Sequence, residues 1–227
     1  MGLIRRKADW THQDFIDYWR NTHGPLAAQA PGLRGYWQNA VTERLQRGVE
    51  FQRGPWDFDG FSQLWLAGAG QADHAFKNSD FAARLIADEK HFLGLLHIVT
   101  VTQSVVITVP EASKRGNALK RLSILKRRPD ISADEFRSEW TAHADLVRRM
   151  PGVLGYRQNV VIARERTKGE PCSYDDLPID GLVELWFNGP HALEAAFTSA
   201  AGQAATRHAK TFLAEITAFL VTEHQVV

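Results

Sequence analysis

The sequence repeats itself, and no other feature constrains the fold as strongly. Residues 15–39 return as residues 136–159. In each copy a Phe, a Trp and a His precede Pro-Gly, and the motif Gly-Tyr-x-Gln-Asn follows. Matches continue beyond these stretches at an offset of about 120 residues, and they include Trp65 with Trp186. Identities this regular indicate a tandem duplication of one folding unit.

Each unit has the signals for a helix between two strands. Residues 119–126 are apolar and alternating enough for a strand, and the capping box Ser132-x-x-Glu135 opens a helix after it. Pro-Gly stops this helix, and Gly-Tyr-x-Gln-Asn leads the second strand. The first unit repeats the order with a weaker cap, Thr11-x-x-Asp14.

The rest of each unit is predicted as a strand, a helix and a strand. A polar loop with Gly and Pro separates the second strand from the third. In the first unit the second helix begins near Ala72. The predicted third strands, second helices and last strands are 60–66 and 181–187, 72–92 and 192–214, and 98–108 and 218–226. The element order is therefore βαββαβ in both units.

This order predicts how the two units assemble. A sheet of four strands with two helices on one face leaves its other face bare, and two such faces bury each other in a barrel with helices outside. The predicted fold class is α+β: two ferredoxin-like βαββαβ units packed sheet to sheet as an intramolecular dimeric α+β barrel. We predict units at 1–108 and 119–227, joined by a linker at 109–118. Such a chain is a closed monomeric barrel or pairs through its helices as a homodimer.

The repeated residues resemble a known family. The pattern Phe-x3-Trp, His, Pro-Gly-x-x-Gly-Tyr-x-Gln-Asn, then Asp-Gly and Trp on the next strand, is similar to the EthD domain of the dimeric α+β barrel superfamily. The resemblance covers essentially all of both units. It implies small cofactor-free lyases, isomerases and cyclases that act on lactones, polyketides and aromatic compounds. Wider relatives include cofactor-free quinol monooxygenases and haem-handling proteins, so the resemblance favours an enzyme without naming its reaction.

His23 is the first catalytic candidate. It follows Phe15 and Trp19 at helical spacing, which places it on the inward stripe near the end of its helix. Apolar neighbours favour the neutral ring and a helix C-terminus favours the charged one, so the ring is able to exchange a proton near neutral pH. A core histidine with one hydrogen bond is the alternative. Its repetition as His143, and the match to the helix His of the family, favour the functional interpretation.

The two histidines differ in their surroundings. Trp19 and His23 are four positions apart, whereas Trp140 and His143 are three apart. Because each residue turns a helix by about 100°, we predict that the two histidines face differently relative to their tryptophans. His23 is also followed by Gly-Pro, the form closer to the family. The first-unit site is therefore the preferred one.

Tyr36 and Tyr156 are the second pair of candidates. A phenol near the helix end can donate a hydrogen bond to an oxygen whose charge develops as the histidine removes a proton. The alternative is a strand tyrosine that packs its ring in the core. Asn39 and Asn159 have the opposite parity from the tyrosines on the strand, so they cannot line the same pocket unless a bulge intervenes, and we interpret them as turn or strand-edge structure. Aspartates precede Gly60 and Gly181 where strands begin, and we do not assign them a catalytic role.

Four tryptophans complete the predicted site. They are expected in the core, and an aromatic-lined pocket formed by them would suit a flat substrate. The four are Trp19, Trp65, Trp140 and Trp186.

Charge and composition exclude several classes of partner. Lys plus Arg number 27 and Asp plus Glu 26, whereas proteins that bind nucleic acid carry a clear basic excess. No apolar run reaches the roughly 18 residues of a membrane span. The lone Cys172 excludes an intrachain disulfide, and a reducing cytoplasm is the predicted location. The basic stretches at Lys120-Arg121 and 126–128 flank a strand, and we interpret them as solvated protection of a sheet edge.

The sequence predicts chemistry without a cofactor or a metal. It contains no phosphate-binding loop, no dinucleotide fingerprint and no Gly-x-Ser-x-Gly elbow, and His91 and His97 lack the spacing of a helical metal pair. The predicted function is a cofactor-independent lyase or isomerase that moves protons on a small aromatic or lactone-type substrate. It would give decarboxylation, dehydration, cyclisation or isomerisation. Two alternatives stay open: a cofactor-free quinol-type monooxygenase, and a non-catalytic protein that binds an aromatic metabolite.

Overall fold

The first unit alternates strands and helices as predicted. A computed structural model of the chain describes residues 1–68, 76, 79–111 and 118–227. The predicted helix start near Ala72 and most of the predicted linker, 112–117, lie outside the described residues. The first-unit elements are β1 (Gly2–Arg6), α1 (His12–Tyr18), a π-helical turn (Trp19–His23), α2 (Gly24–Ala27), β2 (Leu33–Glu43), β3 (Gly60–Leu66), α3 (Asp80–Phe92) and β4 (Leu93–Ile107).

The second unit follows the same order with two differences. It has a short additional strand, and the predicted single helix 192–214 is in fact two helices that meet at Ser199, whose side chain accepts a hydrogen bond from Gly202 N and so caps the second of them. Within the described residues, no helix is both long and apolar enough to cross a membrane. The elements are β5 (Leu119–Arg127), α4 (Ala133–Arg148), β6 (Val153–Thr167), β7 (Glu170–Pro171), β8 (Gly181–Phe187), α5 (Pro190–Thr198), α6 (Ala200–Phe212) and β9 (Leu213–Gln225).

The strands close into a barrel. Eight of the nine strands among the described residues form a ring in the order β4–β1–β3–β2–β9–β5–β8–β6, and β6 pairs with β4 to complete it. Each unit contributes the ferredoxin-like order of last, first, third and second strand. The two seams, β2 with β9 and β4 with β6, are antiparallel ladders between units. The predicted intramolecular dimeric α+β barrel is confirmed, and its two sheets are hydrogen-bonded to each other at both seams.

Two glycines explain how each first helix packs against its sheet. Gly60 begins β3, and a Cβ built there would lie 2.6 Å from Cζ3 of Trp19. Gly181 begins β8 and has the same relation to the ring of Trp140. A side chain at either position would displace a fully buried tryptophan, so the Asp-Gly pairs mark strand starts, as predicted, where a helix ring lies directly on the backbone. The two preceding aspartates form ion pairs with arginines of the first strands, Asp59 with Arg6 and Asp180 with Arg127.

The difference in helix spacing between the units is absorbed by the π-helical turn. Gly24 N donates to Trp19 O, five residues back, which widens the turn by one residue. The second-unit helix α4 is continuous through the same region. As a consequence, each histidine contacts a partner 65 residues further on, Asp88 for His23 and His208 for His143. The prediction that the two histidines face differently is therefore wrong.

The interpretation of Lys120 and Arg121 as a solvated edge is also wrong. These residues lie on β5, which is paired on both sides, with β8 and with β9. Their exposed fractions are 1% and 5%. Because neighbouring strand residues point to opposite faces, Lys120 enters the barrel and Arg121 faces the helices. Each is thus a buried cation, and the groups that contact it are described with the sites below.

Candidate active site

The predicted tyrosines lie between sheet and helices, each tied to its helix by the motif glutamine. Trp19 Nε1 donates to the Tyr36 hydroxyl at 3.2 Å. Gln38 Nε2 donates to the same hydroxyl at 3.2 Å and to Trp19 O at 2.7 Å. Burial raises the pKa of Tyr36 to about 12. The phenol therefore stays protonated and keeps a proton to donate.

The second unit repeats this arrangement with shorter bonds. Gln158 Nε2 donates to the Tyr156 hydroxyl at 2.8 Å and to Trp140 O at 2.6 Å. Burial likewise raises the pKa of Tyr156. The repeated Gln of Gly-Tyr-x-Gln-Asn was not among the predicted site residues, although its recurrence at Gln38 and Gln158 was the signal that could have found it.

His23 is held by a carboxylate. Its Nδ1 lies 2.6 Å from Asp88 Oδ2, and Tyr18 donates its hydroxyl to Asp88 Oδ1 at 2.7 Å. Burial favours the protonated acid, but the hydrogen bonds from His23 and Tyr18 together hold the pKa of Asp88 below its ordinary value. His23 is 6% exposed. This is a buried His–Asp pair in which the carboxylate fixes Nδ1–H and leaves Nε2 as the acceptor.

In the second unit a histidine replaces the carboxylate. His143 Nδ1 lies 3.2 Å from His208 Nδ1, and the rings are stacked with centroids 5.4 Å apart. His208 Nε2 lies 3.2 Å from Glu139 Oε2. If His208 donates from Nε2 to Glu139, its Nδ1 accepts the Nδ1–H of His143, and His143 Nε2 is left with a free lone pair. The three side chains lead from the interior to Glu139, whose side chain is 47% exposed.

His143 makes folding sensitive to acid. Burial, and then the charge of His208, lower the pKa of His143 to about 4. The unfolded chain, with an ordinary histidine pKa of about 6.5, binds more protons between these values. We therefore expect stability to fall by up to about 3 kcal/mol as pH decreases from 6.5 to 4, measured by urea unfolding at a series of pH values. His143→Gln should flatten this part of the curve, and an unchanged slope would contradict the assignment.

His143 and Tyr156 border a cavity of about 60 Å³ between the second-unit sheet and its helices. Most of its walls are apolar. They include Trp140, Val147, Met150, Leu185, Phe197 and Phe212. Two further lining residues are charged, Arg121 and Glu50. The Glu50 side chain is 80% exposed and pairs with Lys210 at 3.5 Å. The cavity thus combines an apolar wall with one imidazole, one phenol, one guanidinium and one carboxylate that pairs with a lysine.

Arg121 has no carboxylate partner among the described residues. Its Nη1 donates to Arg47 O at 3.2 Å, its guanidinium lies 4.3 Å from the centre of the Phe197 ring, and its buried Nε has no hydrogen-bond partner. Burial lowers the pKa of Arg121 to about 9, which still leaves a cation at neutral pH. A buried cation is normally paired with an anion, and no described residue forms a salt bridge with Arg121. Its guanidinium is therefore able to bind the anionic group of a ligand.

The cover of this cavity comes from the other unit. Residues 48–51, in the loop after β2, form part of its lining. The loop is fixed to β9 on both sides of that segment: Gln46 Nε2 donates to Ile216 O at 2.7 Å, and Ile216 N donates to Gln52 O at 3.1 Å. The first unit therefore closes the site of the second with a short segment held at both ends.

Comparison with known families identifies the repeated unit. The EthD domain model matches the chain twice, at residues 7–95 and at residues 128–215. The chain belongs to the EthD family. Both matches contain the histidine, the tyrosine and the motif glutamine of their unit, so the two described sites are equivalent positions of two EthD domains.

Solved structures with the same fold cover the whole tandem EthD chain. An anthrone oxidase-like protein aligns over 99% of this chain and 91% of its own, with a TM-score of 0.66 and 10% identity. A putative monooxygenase from Lactobacillus acidophilus NCFM aligns over 99% and 92%, with a TM-score of 0.58 and 11% identity. A third, from Fusobacterium nucleatum, covers 98% and 89% with a TM-score of 0.56 and 8% identity. At identities this low, the structural similarity establishes a shared fold alone. No curated protein sequence matches the chain.

The four predicted tryptophans do not share one pocket. Trp140 lines the cavity beside His143, and Trp19 is buried against Gly60 in the first EthD unit. Trp65 and Trp186 lie on the opposite face of the sheet, inside the barrel, where Trp186 Nε1 donates to Glu223 Oε2 at 2.9 Å. In the described part of the chain, no three His, Cys, Asp or Glu side chains converge as a metal site requires.

The interior of the EthD barrel contains a polar cluster that the sequence did not predict. Lys120 Nζ lies 2.7 Å from Glu184 Oε2 and 3.0 Å from Glu223 Oε1, and it donates to Asn39 Oδ1 at 2.7 Å. Asn159 Nδ2 donates to Glu184 Oε1 at 2.9 Å. The parity argument that separated the asparagines from the tyrosines holds, but their assignment to turns or strand edges is wrong. Both are fully buried and orient the charges of the barrel interior.

Proposed function

We propose that this EthD protein is a cofactor-independent lyase or isomerase that moves protons on a small aromatic or lactone-type substrate carrying an anionic oxygen. The observation that carries the proposal is that one apolar cavity is lined by both His143 and Arg121. A base whose Nε2 is free and a cation without a carboxylate are the two groups that deprotonation of an anionic, enolisable compound requires.

Each residue has a distinct part in this reaction. Arg121 binds the carboxylate, phenolate or enolate oxygen of the substrate. His143 Nε2 removes a proton from the carbon or oxygen next to the carbonyl. Tyr156, which keeps its proton because burial raises its pKa, donates a hydrogen bond to the oxygen that becomes negative.

The proton taken by His143 has a route to solvent. When Nε2 of His143 gains a proton, its Nδ1–H passes to His208 Nδ1, and the Nε2–H of His208 passes to the half-exposed Glu139. Both histidines stay neutral with exchanged tautomers, and Glu139 carries the added proton. When His143 Nε2 gives its proton back to the substrate, the transfers run in reverse and restore the Nδ1–H of His143 and the Glu139 carboxylate. Return of the proton to another atom of the same substrate gives an isomerisation, and its use to protonate a leaving group gives a dehydration.

The first-unit pair, His23 and Tyr36, stays a candidate for a second site. Asp88 orients His23 as a base in the manner of a catalytic dyad. We place the reaction at His143 because His143 shares a cavity with an unpaired cation.

Substrate entry in the second unit requires movement of the cover. A benzene ring occupies a cavity of about 150 Å³, whereas this one has about 60 Å³. The segment 48–51 is the part that would be displaced. It is tied to β9 through Gln46 and Gln52, and it also contacts the second unit through the pair of Glu50 with Lys210 and through the packing of Val49 and Phe51.

A second candidate reaction follows deprotonation with oxygen. Full-length structural neighbours are named as a putative monooxygenase and an anthrone oxidase-like protein, and a deprotonated quinol or anthrone in an apolar cavity is able to reduce O₂. The two candidates share the base and differ in whether O₂ is consumed.

Arg121→Met provides the test. Wild-type protein is incubated without added cofactor with aromatic carboxylic acids, lactones, and quinol and anthrone compounds, while product masses and dissolved O₂ are followed. We expect turnover of at least one anionic compound, a loss of about tenfold or more in kcat/KM for Arg121→Met, and an unfolding free energy raised by about 1–2 kcal/mol because an unpaired buried charge is removed.

The outcomes separate the candidates. Oxygen consumption in step with product identifies the oxidation, and product without oxygen consumption identifies the lyase or isomerase. Arg121→Lys keeps the charge and serves as the matched variant. If Arg121→Met is less stable than wild type and turns over its substrate normally, the guanidinium is a structural group and the proposed site is wrong.

A further inference from the structure

A second, partly open cavity of about 320 Å³ lies on the barrel side of the sheet. Gln63, Trp65, Gln103, Arg157 and Glu223 are among its lining residues. It lies inside the sheet, whereas the cavity beside His143 lies between sheet and helices, and their described lining residues do not overlap. Its volume falls at the lower end of the range of small-molecule sites.

Gln63 lines this cavity and carries a hydrogen-bond donor without a partner among the described groups. Its Oε1 lies 3.3 Å from Lys120 Nζ, and it accepts from Asn39 Nδ2 at 3.0 Å. Lysine is a donor only, so the side-chain amides of Gln63 and Asn39 are both fixed with their oxygens toward Lys120. The Nε2 of Gln63 is consequently turned away from Lys120, is buried and has no hydrogen-bond partner among the described groups, in a residue that is 2% exposed. An unsatisfied buried amide donor costs roughly 1–3 kcal/mol unless it has a partner.

Arg157 adds a cation without a salt-bridge partner among the described residues to the same cavity. Its guanidinium lies 5.3 Å from the centre of the Trp186 ring, and its buried Nε has no hydrogen-bond partner. Glu184 lies opposite Arg157 in the β6–β8 ladder, and the charge of Arg157 helps to lower the pKa of Glu184, but the two form no salt bridge. Glu223, the carboxylate that lines the cavity, has one oxygen on Lys120 and the other on Trp186 Nε1. The described lining therefore has free donors and an acid whose oxygens are both occupied.

We propose that this barrel cavity is a binding site for a small planar carboxylic acid. The carboxylate accepts hydrogen bonds from Gln63 Nε2 and from Arg157, and the planar part of the ligand packs against Trp65. The site is independent of the proposed reaction at His143, which uses other residues on the opposite face of the sheet.

The duplication supplies a matched variant for the decisive residue. Gln63 on β3 corresponds to Glu184 on β8, and both side chains bind Lys120 and a motif asparagine. Gln63→Glu keeps the oxygen that faces Lys120 and replaces the free N–H donor by a carboxylate oxygen. The variant therefore preserves the cluster while it repels an anionic ligand.

The probe is benzoate, with benzamide as its neutral counterpart, and binding to the intact protein is measured by titration calorimetry. We expect saturable binding of benzoate, weaker by about tenfold or more for benzamide, and weaker by the same order in Gln63→Glu and in Arg157→Gln. Arg121→Met should leave this binding unchanged, because Arg121 lines the other cavity. If the wild type shows a second, separate binding of benzoate that Arg121→Met loses, that binding belongs to the cavity beside His143. Melting curves verify that each variant is folded. If Gln63→Glu does not fold, the affinity of Arg157→Gln for benzoate decides the question.

Three results would overturn the proposal. They are no saturable binding of benzoate up to about 10 mM, equal affinity for benzoate and benzamide, and unchanged affinity in a folded Arg157→Gln protein. Loss of all benzoate binding in Arg121→Met would assign the ligand to the other cavity and would overturn it as well. Failure of the proposed enzymatic reaction alone would leave this prediction intact.

Discussion

Lys120→Met should lower the free energy of unfolding by about 3–5 kcal/mol at pH 7, measured by urea unfolding. The exposed fraction of Lys120 is 1% and that of Glu184 is 0%, and the two are 2.7 Å apart. Removing the ammonium leaves a carboxylate in the barrel without its counter-ion, and it also removes a donor from Asn39 Oδ1. A matched control lies on the same strand: Lys126 pairs with Glu215 but has a side chain 33% exposed, so Lys126→Met should cost at most about 1 kcal/mol.

The pH dependence identifies the charge as the cause. Burial acts to raise the pKa of Glu184, but Lys120 and Asn159 hold it below its ordinary value. In the wild type this pair therefore stabilises the fold above the ordinary glutamate pKa of about 4.3, and the contribution is lost as pH falls through the lower folded value. In Lys120→Met the pH dependence has the opposite sign, because the buried Glu184 without its counter-ion gains a proton on folding. The loss of unfolding free energy relative to the wild type should therefore become smaller as pH falls toward 5. Glu184→Gln added to Lys120→Met should recover most of the loss at pH 7, and a double variant no more stable than Lys120→Met would contradict this account.

The architecture could be predicted because the duplication is local in sequence. The capping box at Ser132 and the strands starting at Gly60 and Gly181 appear in the structure where the patterns place them. Each of these predictions depends only on residues close together in the sequence, within one or two helical turns or within one strand. Two copies of the same pattern also imply two equivalent sheets, whose bare faces have one way to be buried.

The charged interior could not be predicted in this way. A Lys-Arg pair next to a strand has the same local pattern whether the strand is at an edge or inside a closed barrel. Lys120 is buried because its partners come from β2, β8 and β9, and the sequence separations to Asn39 and Glu223 are 81 and 103 residues. What decides the burial of such a residue is the closure of the ring, which follows from pairing between units.

The site histidines show a similar limit. The extra residue between Trp19 and His23 is visible in the sequence, but a helix can absorb it as a π-helical turn that keeps the histidine in place. Asp88 and His208 occupy corresponding positions of the duplication, yet their importance depends on contact with a residue 65 positions away. The sequence therefore identified the candidate histidines, but its preference for His23 rested in part on a spacing difference that the π-helical turn removes.

The duplication allows the two histidines to be compared within one molecule. Once a substrate is known, His143→Gln is expected to reduce kcat by about 10²–10⁴-fold, the usual contribution of a positioned general base. His23→Gln should change kcat by no more than a few fold. Both substitutions remove a ring from the same place in its unit, and urea unfolding of each variant separates a loss of stability from a loss of catalysis. The measurement is kcat and KM for both proteins at a temperature well below their melting transitions.

Incorporation of deuterium separates proton transfer from all later steps. In D₂O, wild-type protein should exchange the acidic proton of the substrate faster than the uncatalysed rate, as followed by NMR, and His143→Gln should abolish this acceleration. Glu139→Gln should slow exchange without abolishing it, because Glu139 accepts the relayed proton from His208 and is not among the residues that line the cavity. If His23→Gln abolishes exchange while His143→Gln does not, catalysis belongs to the His23–Asp88 pair. The shared cavity of His143 and Arg121 would then be a packing feature of the second unit.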